Sequence, residues 1–466
     1  MTITVINMRV LLLLACATLV HSADFSQQFE HIKKTATPAQ LYAILYDLPK
    51  GGDLHHHFTL SHRPADLLKA AISLPNNRYF TRVRFANCED SSDTLLFRTI
   101  QRSTYNALSD CQKQEFQPLD SLTSKQRDDW TSALILDKPG EGRNEFFEVI
   151  VRRLAEPSHD PELTAALLER MLQRYSREGL IYLESQAHPF GFVDSEGKPV
   201  PLDAGAEAFR QVLAKPEVKR LNIDVRFLVT GIRFAPDAEE HLADVYEFVD
   251  HHRDLWVGVN LAGREDNGKG QPLRFLDTFR KLRRQYSGIH LSIHGGELDN
   301  PGPQVRQTLL LGAERIGHGL NLITDPDGML LMRNGPYLVE TSLISNRLLE
   351  YTPDLAQHPF IEYLRFGIPV CLNTDDSGVW DSNLTDEYFT AVTTFKLTWD
   401  EVAQLGRNSL KYSFLDPTHK ARLLSEYDKR VHDFESRYSN ASWVDRAAKV
   451  HPEVSGYAQR TLGIGR

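Results

Sequence analysis

The sequence predicts an α/β protein whose main domain is a parallel (β/α)8 barrel of the TIM type. Two observations predict it: short apolar strand patterns alternate with longer amphipathic helical patterns, and eight such strands occur along the chain. The length of 466 residues suits a single barrel domain with additions. An open doubly wound sheet is the alternative that the same alternation allows.

The eight strands are predicted from short apolar runs, and helical periodicity follows most of them. Predicted helices include Pro161–Arg177, Ala238–His251 and Leu273–Tyr286. The predicted strands are, in chain order, Asp53–Phe58, Leu180–Gln186, Asp224–Val229, Trp256–Leu261, Ile289–His294, Arg315–Gly319, Tyr337–Thr341 and Val370–Asn373.

One interval departs from the alternation, because the first and second strands are separated by far more chain than one helix needs. The interval runs from Phe58 to Leu180 and is rich in polar residues. We predict an inserted subdomain over about residues 74–124, within a barrel domain that spans residues 23–466, and extra helices after Leu405 on the outside of the barrel. Long insertions of this kind are commonly functional.

The N-terminus has the pattern of a secretory signal. Arg9 precedes an apolar run from Val10 to Val20, and Ser22 suits cleavage. The run is shorter than the roughly 20 residues of a membrane span. Residues 1–22 are therefore predicted to be a signal peptide, and the protein to be exported, to the periplasm in a bacterium and to the extracellular space otherwise. An uncleaved anchor and a lipidated Cys16 are the alternatives.

Charge and cysteine content narrow the possible partners and compartment. A formal net charge of -9 without a long run of Lys and Arg argues against a nucleic-acid polymer as partner. Cys371 lies in an apolar strand pattern and is predicted to be a buried free thiol. Cys88 and Cys111 share one polar region, so an oxidising compartment favours a disulfide between them. Two unrelated free thiols are the alternative.

The first predicted strand ends in three consecutive histidines, at the position where barrel enzymes place their active sites. Side chains alternate along a strand, so His55 and His57 share one face while His56 points away. Two imidazoles on one face can bind one metal ion. A histidine cluster on the surface is the alternative when this strand is considered alone.

Strands five, six and eight also end in unusual polar residues. His294 is followed by two glycines and Glu297, His318 stands between glycines, and the last strand stops at the adjacent acids Asp375 and Asp376. Neighbouring carboxylates repel each other unless a cation or a donor occupies the site. Three histidines and one aspartate are the ligands of a mononuclear catalytic zinc site with a position left for water. Taken singly, they could be core or loop histidines and a helix cap.

The motifs HxH, HGGE, GHG and NTDD, in this order, resemble the adenosine deaminases of the metal-dependent amidohydrolase superfamily. The similarity runs from about Leu48 to Gly378, most of the chain after the signal. The Pro49–His55 segment, the signal peptide and the cysteine-bearing insertion are most similar to the secreted branch, the adenosine deaminase-related growth factors. The combination is specific for the family and less specific for the substrate.

The resemblance implies a role for each candidate site residue, one zinc ion per chain, a small-molecule purine nucleoside as substrate, and a homodimer. Amidohydrolases with two metal ions usually bridge them with a modified lysine after the fourth strand. Here that strand is followed by Ala262-Gly263-Arg264, without a lysine, which favours one metal ion. The implied roles are zinc binding by His55, His57, His294 and Asp375, protonation of purine N1 by Glu297, general-base action on the attacking water by His318, and hydrogen bonds to N7 from Asp376 and to N3 from the backbone N–H of Gly263.

Two positions depart from the family pattern. Thr59 stands where relatives carry an aspartate that contacts the ribose, and His56 replaces an apolar residue. We expect zinc-dependent deamination of adenosine, and of 2′-deoxyadenosine, with release of ammonia. A deaminase of a nucleotide or of free adenine is the first alternative, since Arg264 and Arg347 near strand ends could bind a phosphate. A secreted interaction or signalling protein with a vestigial barrel is the second. The cytidine-deaminase type of site is excluded, because no P-C-x-x-C motif occurs.

Overall fold

The computed structural model describes residues 25–76, 78–88 and 94–465. The predicted signal peptide and Cys16 lie outside these residues. The strands within them are β1 (Gly51–His57), β2 (Tyr79–Arg82), β3 (Thr99–Gln101), β4 (Phe116–Pro118), β5 (Leu180–Gln186), β6 (Asp224–Ile232), β7 (Trp256–Ala262), β8 (His290–Gly295), β9 (Arg315–His318), β10 (Leu338–Thr341) and β11 (Val370–Leu372).

Eight of these strands form a nearly closed parallel barrel in the order β1-β5-β6-β7-β8-β9-β10-β11. The sheet closes where β1 meets the chain just beyond β11. There the His57 backbone N–H donates to the Asp375 carbonyl at 3.1 Å, and the Asp375 N–H donates to the His55 carbonyl at 2.9 Å. The predicted barrel is confirmed, and the closure excludes an open sheet. It also brings Asp375 beside the histidines of β1.

The predicted strand boundaries are close to the observed ones. Leu180–Gln186 has the same bounds in both, whereas β6 continues three residues beyond the prediction, to Ile232. The helices Pro161–Arg177 and Ala238–His251 also have the predicted bounds. The third predicted helix begins as a 3-10 turn at Pro272–Phe275 and continues as Leu276–Gln285.

Helices cover the outside of the barrel, and local capping explains where many of them begin. Pro161–Arg177 starts after Asp160, whose carboxylate accepts hydrogen bonds from the first-turn amides of Glu162 and Leu163. The helical residues are 25–35, Pro38–Asp47, Pro64–Ser73, Arg102–Ala107, Asp110–Lys113, Ser124–Ser132, Arg143–Glu145, Val151–Arg153, Pro161–Arg177, Leu202–Ala214, Pro216–Lys219, Ala238–His251, Leu276–Gln285, Gln304–Leu311, Pro326–Asn334, Leu343–Leu348, Phe360–Phe366, Ser377–Trp380, Leu384–Phe395, Trp399–Lys411, Pro417–Tyr438 and Trp443–Ala447.

The C-terminal helices pack on the outside of the barrel, as predicted. Ser409, in Trp399–Lys411, accepts a hydrogen bond from the Gly52 amide of β1 at 2.7 Å. From the same helix, the Asn408 side chain donates to the Val370 carbonyl of β11 at 2.8 Å. This helix therefore spans the seam at which the barrel closes.

Alternation along the strands separates the apolar core from the barrel interior. On β8, Leu291 and Ile293 join the core between strands and helices, while Ser292 and His294 form hydrogen bonds with polar groups of β10 and β7. The barrel interior is therefore polar at the level of Ser292 and His294, near the C-terminal ends of the strands.

The long interval between β1 and β5 contains a small antiparallel sheet with the order β3-β2-β4. Cys88 and Cys111 of this region are joined by a disulfide. Cys371 is a buried free thiol. The extent of an inserted subdomain over residues 74–124 stays a prediction. Among the described residues, no helix combines the length and the apolar character that a membrane crossing requires.

Candidate metal and catalytic site

Three histidines and one aspartate meet at the C-terminal end of the barrel. One ligand atom each from His55, His57, His294 and Asp375 lie within 4.8 Å of one another. His57 Nε2 is 3.2 Å from both His294 Nε2 and Asp375 Oδ1, and His55 Nε2 is 3.5 Å from the same oxygen. The structure thus brings together the four residues that the sequence suggested as ligands.

The outer nitrogens of two of these rings are engaged, which directs the inner nitrogens to a common centre. His55 Nδ1 faces Glu340 Oε2 at 2.8 Å, and His294 Nδ1 faces Asn260 Oδ1 at 3.0 Å. Both partners are acceptors, so each Nδ1 carries the proton and each Nε2 presents a lone pair. The buried Nε2 of His55 has no hydrogen-bond partner among the described residues. A divalent cation would satisfy these lone pairs, so the donor set fits a metal ion.

The electrostatic field at His55 also favours positive charge. Burial alone lowers the pKa of His55, but the adjacent carboxylates of Asp375 and Glu340 raise it to about 10. A site that stabilises a cationic ring in this way also stabilises a cation bound at the ring nitrogen.

Backbone geometry at the strand ends positions the site side chains. Asp375 and His318 leave their strands in the left-handed region, with φ of 55° and 64°, which non-glycine residues seldom adopt. Gly317 lets the His55 ring lie against the backbone, because a Cβ at Gly317 would stand 2.7 Å from His55 Cε1. Gly317, one of the two glycines that flank His318, therefore makes space for a candidate ligand of β1 on the other side of the barrel.

A buried ion network holds His55 in place. Glu340 of β10 contacts His55 through Oε2 and Arg315 Nε through Oε1, at 2.8 and 2.6 Å, and accepts a hydrogen bond from Ser292 Oγ at 2.8 Å. Arg315 also pairs with Glu184 of β5 at 2.5 Å. Sequence analysis missed this network. The signal available was a charged residue inside otherwise apolar strand patterns.

Glu297 lies beside the ligand cluster and is prepared to act as an acid. Burial first, and then the negative charges of Asp375 and Glu265, raise the pKa of Glu297 well above its usual value, so a protonated carboxyl is favoured. His318 Nε2 is 3.6 Å from Glu297 Oε1. The Glu265 carboxylate accepts hydrogen bonds from the amides of Gly296 and Glu297, both at 3.1 Å. Glu265, also missed from sequence, therefore fixes the backbone that carries the acid.

His57, His294, Asp375, Glu297 and His318 line one cavity that has an apolar outer wall. Gly263 lines it, and so does Asp376, whose buried Oδ1 has no hydrogen-bond partner among the described residues. Burial and the charge of Asp375 raise the pKa of Asp376 well above its usual value. The apolar lining consists of Leu60, Phe146, Phe147, Val151, Ile232, Phe234, Ala262 and Leu349. The cavity thus combines a polar reacting end with an apolar wall, as ligand pockets commonly do.

The π-helical turn Phe146–Ile150 supplies part of the apolar wall. Its two aromatic rings pack edge to face at 4.8 Å. Sequence analysis assigned no function to this segment, because it lies in the long interval between β1 and β5. Turns of this kind occur frequently at functional sites.

The two departures from the family pattern lie away from the reacting groups. Thr59 lines a smaller neighbouring cavity together with Phe58 and His62, whereas the adjacent residue Leu60 lines the main one. His56 points away from the site, as alternation predicted. Its ring nitrogens contact Ser185 Oγ at 2.7 Å and Tyr175 OH at 2.9 Å.

Both candidate phosphate-binding arginines have protein partners. Arg264 forms a two-point ion pair with Asp266 at 2.7 and 2.8 Å, and Arg347 donates to Tyr457 OH at 3.1 Å. No Lys or Arg occurs among the described residues that line the cavity.

The fold and the site define a class of protein: a barrel hydrolase with a candidate mononuclear metal site at the C-terminal ends of its strands. The family model for adenosine deaminase matches residues 151–430. The chain belongs to the adenosine deaminase family of the amidohydrolase superfamily.

Known proteins of this kind resemble the chain in sequence and in fold. Adenosine deaminase of Enterococcus faecalis is 34% identical over 203 residues, which are 43% of this chain and 58% of that protein's length. Adenosine deaminase of Plasmodium falciparum is 28% identical over 63% of this chain and 78% of its own length. The N6-methyl-AMP deaminase of Arabidopsis thaliana has a similar fold, with a TM-score of 0.62 at 20% identity, covering 84% of this chain and 99% of that one.

Proposed function

We propose that this protein is a zinc-dependent deaminase of purine nucleosides that hydrolyses the 6-amino group of adenosine and 2′-deoxyadenosine. One observation carries the proposal. Three members of a four-residue metal cluster line the same cavity as a carboxyl that burial favours in its protonated form and a second buried carboxyl without a partner among the described residues. Nitrogen and carboxylate donors with room for water are the ligands of catalytic zinc.

The residues around the cluster supply the proton chemistry. A bound zinc ion would lower the pKa of a water molecule to about 7 and so provide the nucleophile. Protonated Glu297 donates its proton to ring N1, which makes C6 more electrophilic. Asp376 in its protonated form donates a hydrogen bond to N7 and thereby orients the ring. His318, beside Glu297, forms a hydrogen bond with the attacking water.

The absence of cations from the described cavity lining favours an uncharged nucleoside over a nucleotide. A phosphate needs paired or clustered cations, whereas Arg264 and Arg347 are both engaged elsewhere. The fold similarity to an N6-methyl-AMP deaminase makes the nucleotide the competing candidate. Free adenine is a second competing substrate, since its purine ring needs the same surrounding groups.

A substrate panel tests this choice. We would measure kcat/KM of the zinc-loaded protein for adenosine, 2′-deoxyadenosine, AMP and adenine. We expect the two nucleosides to exceed AMP by about 10²-fold or more, the effect of about 3 kcal/mol in recognition. A higher kcat/KM for AMP would replace the proposal by a nucleotide deaminase, and a higher one for adenine by a nucleobase deaminase.

We further propose that the protein is exported. The Cys88–Cys111 disulfide supports an oxidising compartment. Recovery of protein that begins after Ser22 from the periplasm or medium would support export, and retention of an unprocessed chain would contradict it. A homodimer stays a prediction that light scattering tests. The complete set of site residues argues against a purely signalling role with a vestigial barrel.

A further inference from the structure

A buried chain of hydrogen bonds leads from the backbone at Phe360 to His318. The Phe360 N–H donates to His358 Nδ1 at 3.1 Å, His358 Nε2 is 3.1 Å from Asn346 Oδ1, and Asn346 Nδ2 is 3.1 Å from His318 Nδ1. The three side chains are at most 1% exposed. Water therefore competes little for these contacts.

The first link fixes the direction of all the others. A backbone amide can only donate, so His358 Nδ1 accepts and the proton of neutral His358 is on Nε2. Burial lowers the pKa of His358 to about 3, so the ring is neutral. Its Nε2–H then donates to the oxygen of Asn346, which leaves the amide NH2 to donate to His318 Nδ1. His318 Nδ1 is therefore an acceptor.

We propose that His358 and Asn346 hold the proton of neutral His318 on Nε2, the nitrogen that faces Glu297 and the cavity. His318 then takes part in the reaction as a hydrogen-bond donor to the attacking oxygen, which would arrive as hydroxide after a water on the bound metal has lost its proton to solvent. This differs from the general-base role that the family resemblance implies. The identity of the oxygen that accepts this hydrogen bond rests on the proposed function, whereas the position of the proton on His318 Nε2 does not.

The same chain disfavours a second proton on His318. If His318 Nδ1 also carried a proton, that N–H and the Asn346 NH2 would face each other as two donors at 3.1 Å, with no acceptor between them. Rotation of the Asn346 amide would relieve this conflict only by placing its NH2 against the His358 N–H. Asn346 and His358 are thus positioning residues that act through His318.

Two substitutions separate this role from simple packing. Asn346→Asp keeps the shape of the side chain but replaces the NH2 by an acceptor, so His318 moves its proton to Nδ1 and presents a bare Nε2. We expect kcat to fall by about 10²-fold, the effect of losing one donor in such a site, with KM changed by less than about threefold. His358→Phe removes the donor that orients Asn346 and lowers kcat in the same way. His358→Gln returns a donor near the Nε2 position, and we expect it to recover at least about tenfold of that loss.

Nitrogen NMR of histidine-labelled, zinc-loaded protein reads the position of the proton without any substrate. We expect His318 to show an unprotonated Nδ1 in the native protein and a protonated Nδ1 in N346D. A protonated Nδ1 in the native protein would overturn the proposal, as would N346D with an unchanged tautomer or an unchanged kcat. If the protein deaminated no 6-aminopurine, the proposed function would fail while the tautomer measurement still decided the position of the proton.

Discussion

Replacement of Glu340 by Gln should weaken metal binding although Glu340 is not a ligand. Its carboxylate faces His55 Nδ1 at 2.8 Å, Arg315 Nε at 2.6 Å and Ser292 Oγ at 2.8 Å. A glutamine has one acceptor oxygen, and the buried cation of Arg315 attracts it most strongly. The amide NH2 is then turned toward His55 Nδ1, and the ring must move its proton to Nε2, the nitrogen that points at the cluster.

The magnitude follows from the role of such partners. Loss of the group that orients a ligating histidine weakens metal binding by about 10- to 100-fold, or about 1.4 to 2.7 kcal/mol. Arg315 keeps its ion pair with Glu184, so the buried charge is not left without a partner. The variant should therefore fold, with a free energy of unfolding lowered by about 1–3 kcal/mol.

A competition titration against a chelator of known affinity measures the zinc dissociation constant, and circular dichroism checks the fold. Glu314→Gln is the matched control, because Glu314 also pairs with a histidine, His290, at 3.0 Å but is 46% exposed. We expect the control to bind zinc within about twofold of the native protein. Folded E340Q with unchanged zinc affinity would refute the inferred role of Glu340.

Three further changes test other parts of the account. Glu297→Gln should retain the metal, since Glu297 is not among the four ligands, but lower kcat by about 10²–10⁴-fold; substantial turnover in a stopped absorbance assay would exclude Glu297 as the acid. Gly317→Ala places a Cβ 2.7 Å from His55 Cε1, so metal content after dialysis should fall, and full retention would show that the ring can shift without harm. Replacing Cys88 and Cys111 by Ser opens a disulfide with a sequence separation of 23 and should lower the free energy of unfolding by about 3 kcal/mol in urea titrations. An unchanged unfolding midpoint would mean that the bond constrains only a local segment.

The barrel could be predicted because its elements are encoded locally. Alternation of apolar strands with amphipathic helices gave Leu180–Gln186 and Pro161–Arg177 with the observed bounds. The ligand cluster followed from topology, since the C-terminal ends of all strands in a closed parallel barrel face the same cavity. Motifs far apart in sequence, such as those at His55 and Asp375, could therefore be placed together before any contact was known.

The supporting residues could not be predicted, because their partners are distant in sequence and follow no periodicity. Glu340 meets His55 across the barrel, and Asn346, in the helix after β10, meets His318 at the end of β9. Phe146 lies in the long interval after β1, where no repeated pattern assigned it to the cavity wall. Register, closure of the barrel and loop conformation determine these contacts, and none of them is readable from hydrophobic patterning alone.

The most direct test of the central claim combines metal analysis with turnover on one preparation. Elemental analysis gives the zinc content per chain, and the fall in adenosine absorbance gives the rate before chelation, after chelation and after zinc is restored. We predict one zinc ion per chain, conversion of adenosine to inosine, loss of the rate on chelation and its recovery with zinc. Equal activity in the metal-free protein, or a zinc-loaded folded protein that deaminates no 6-aminopurine, would contradict the account.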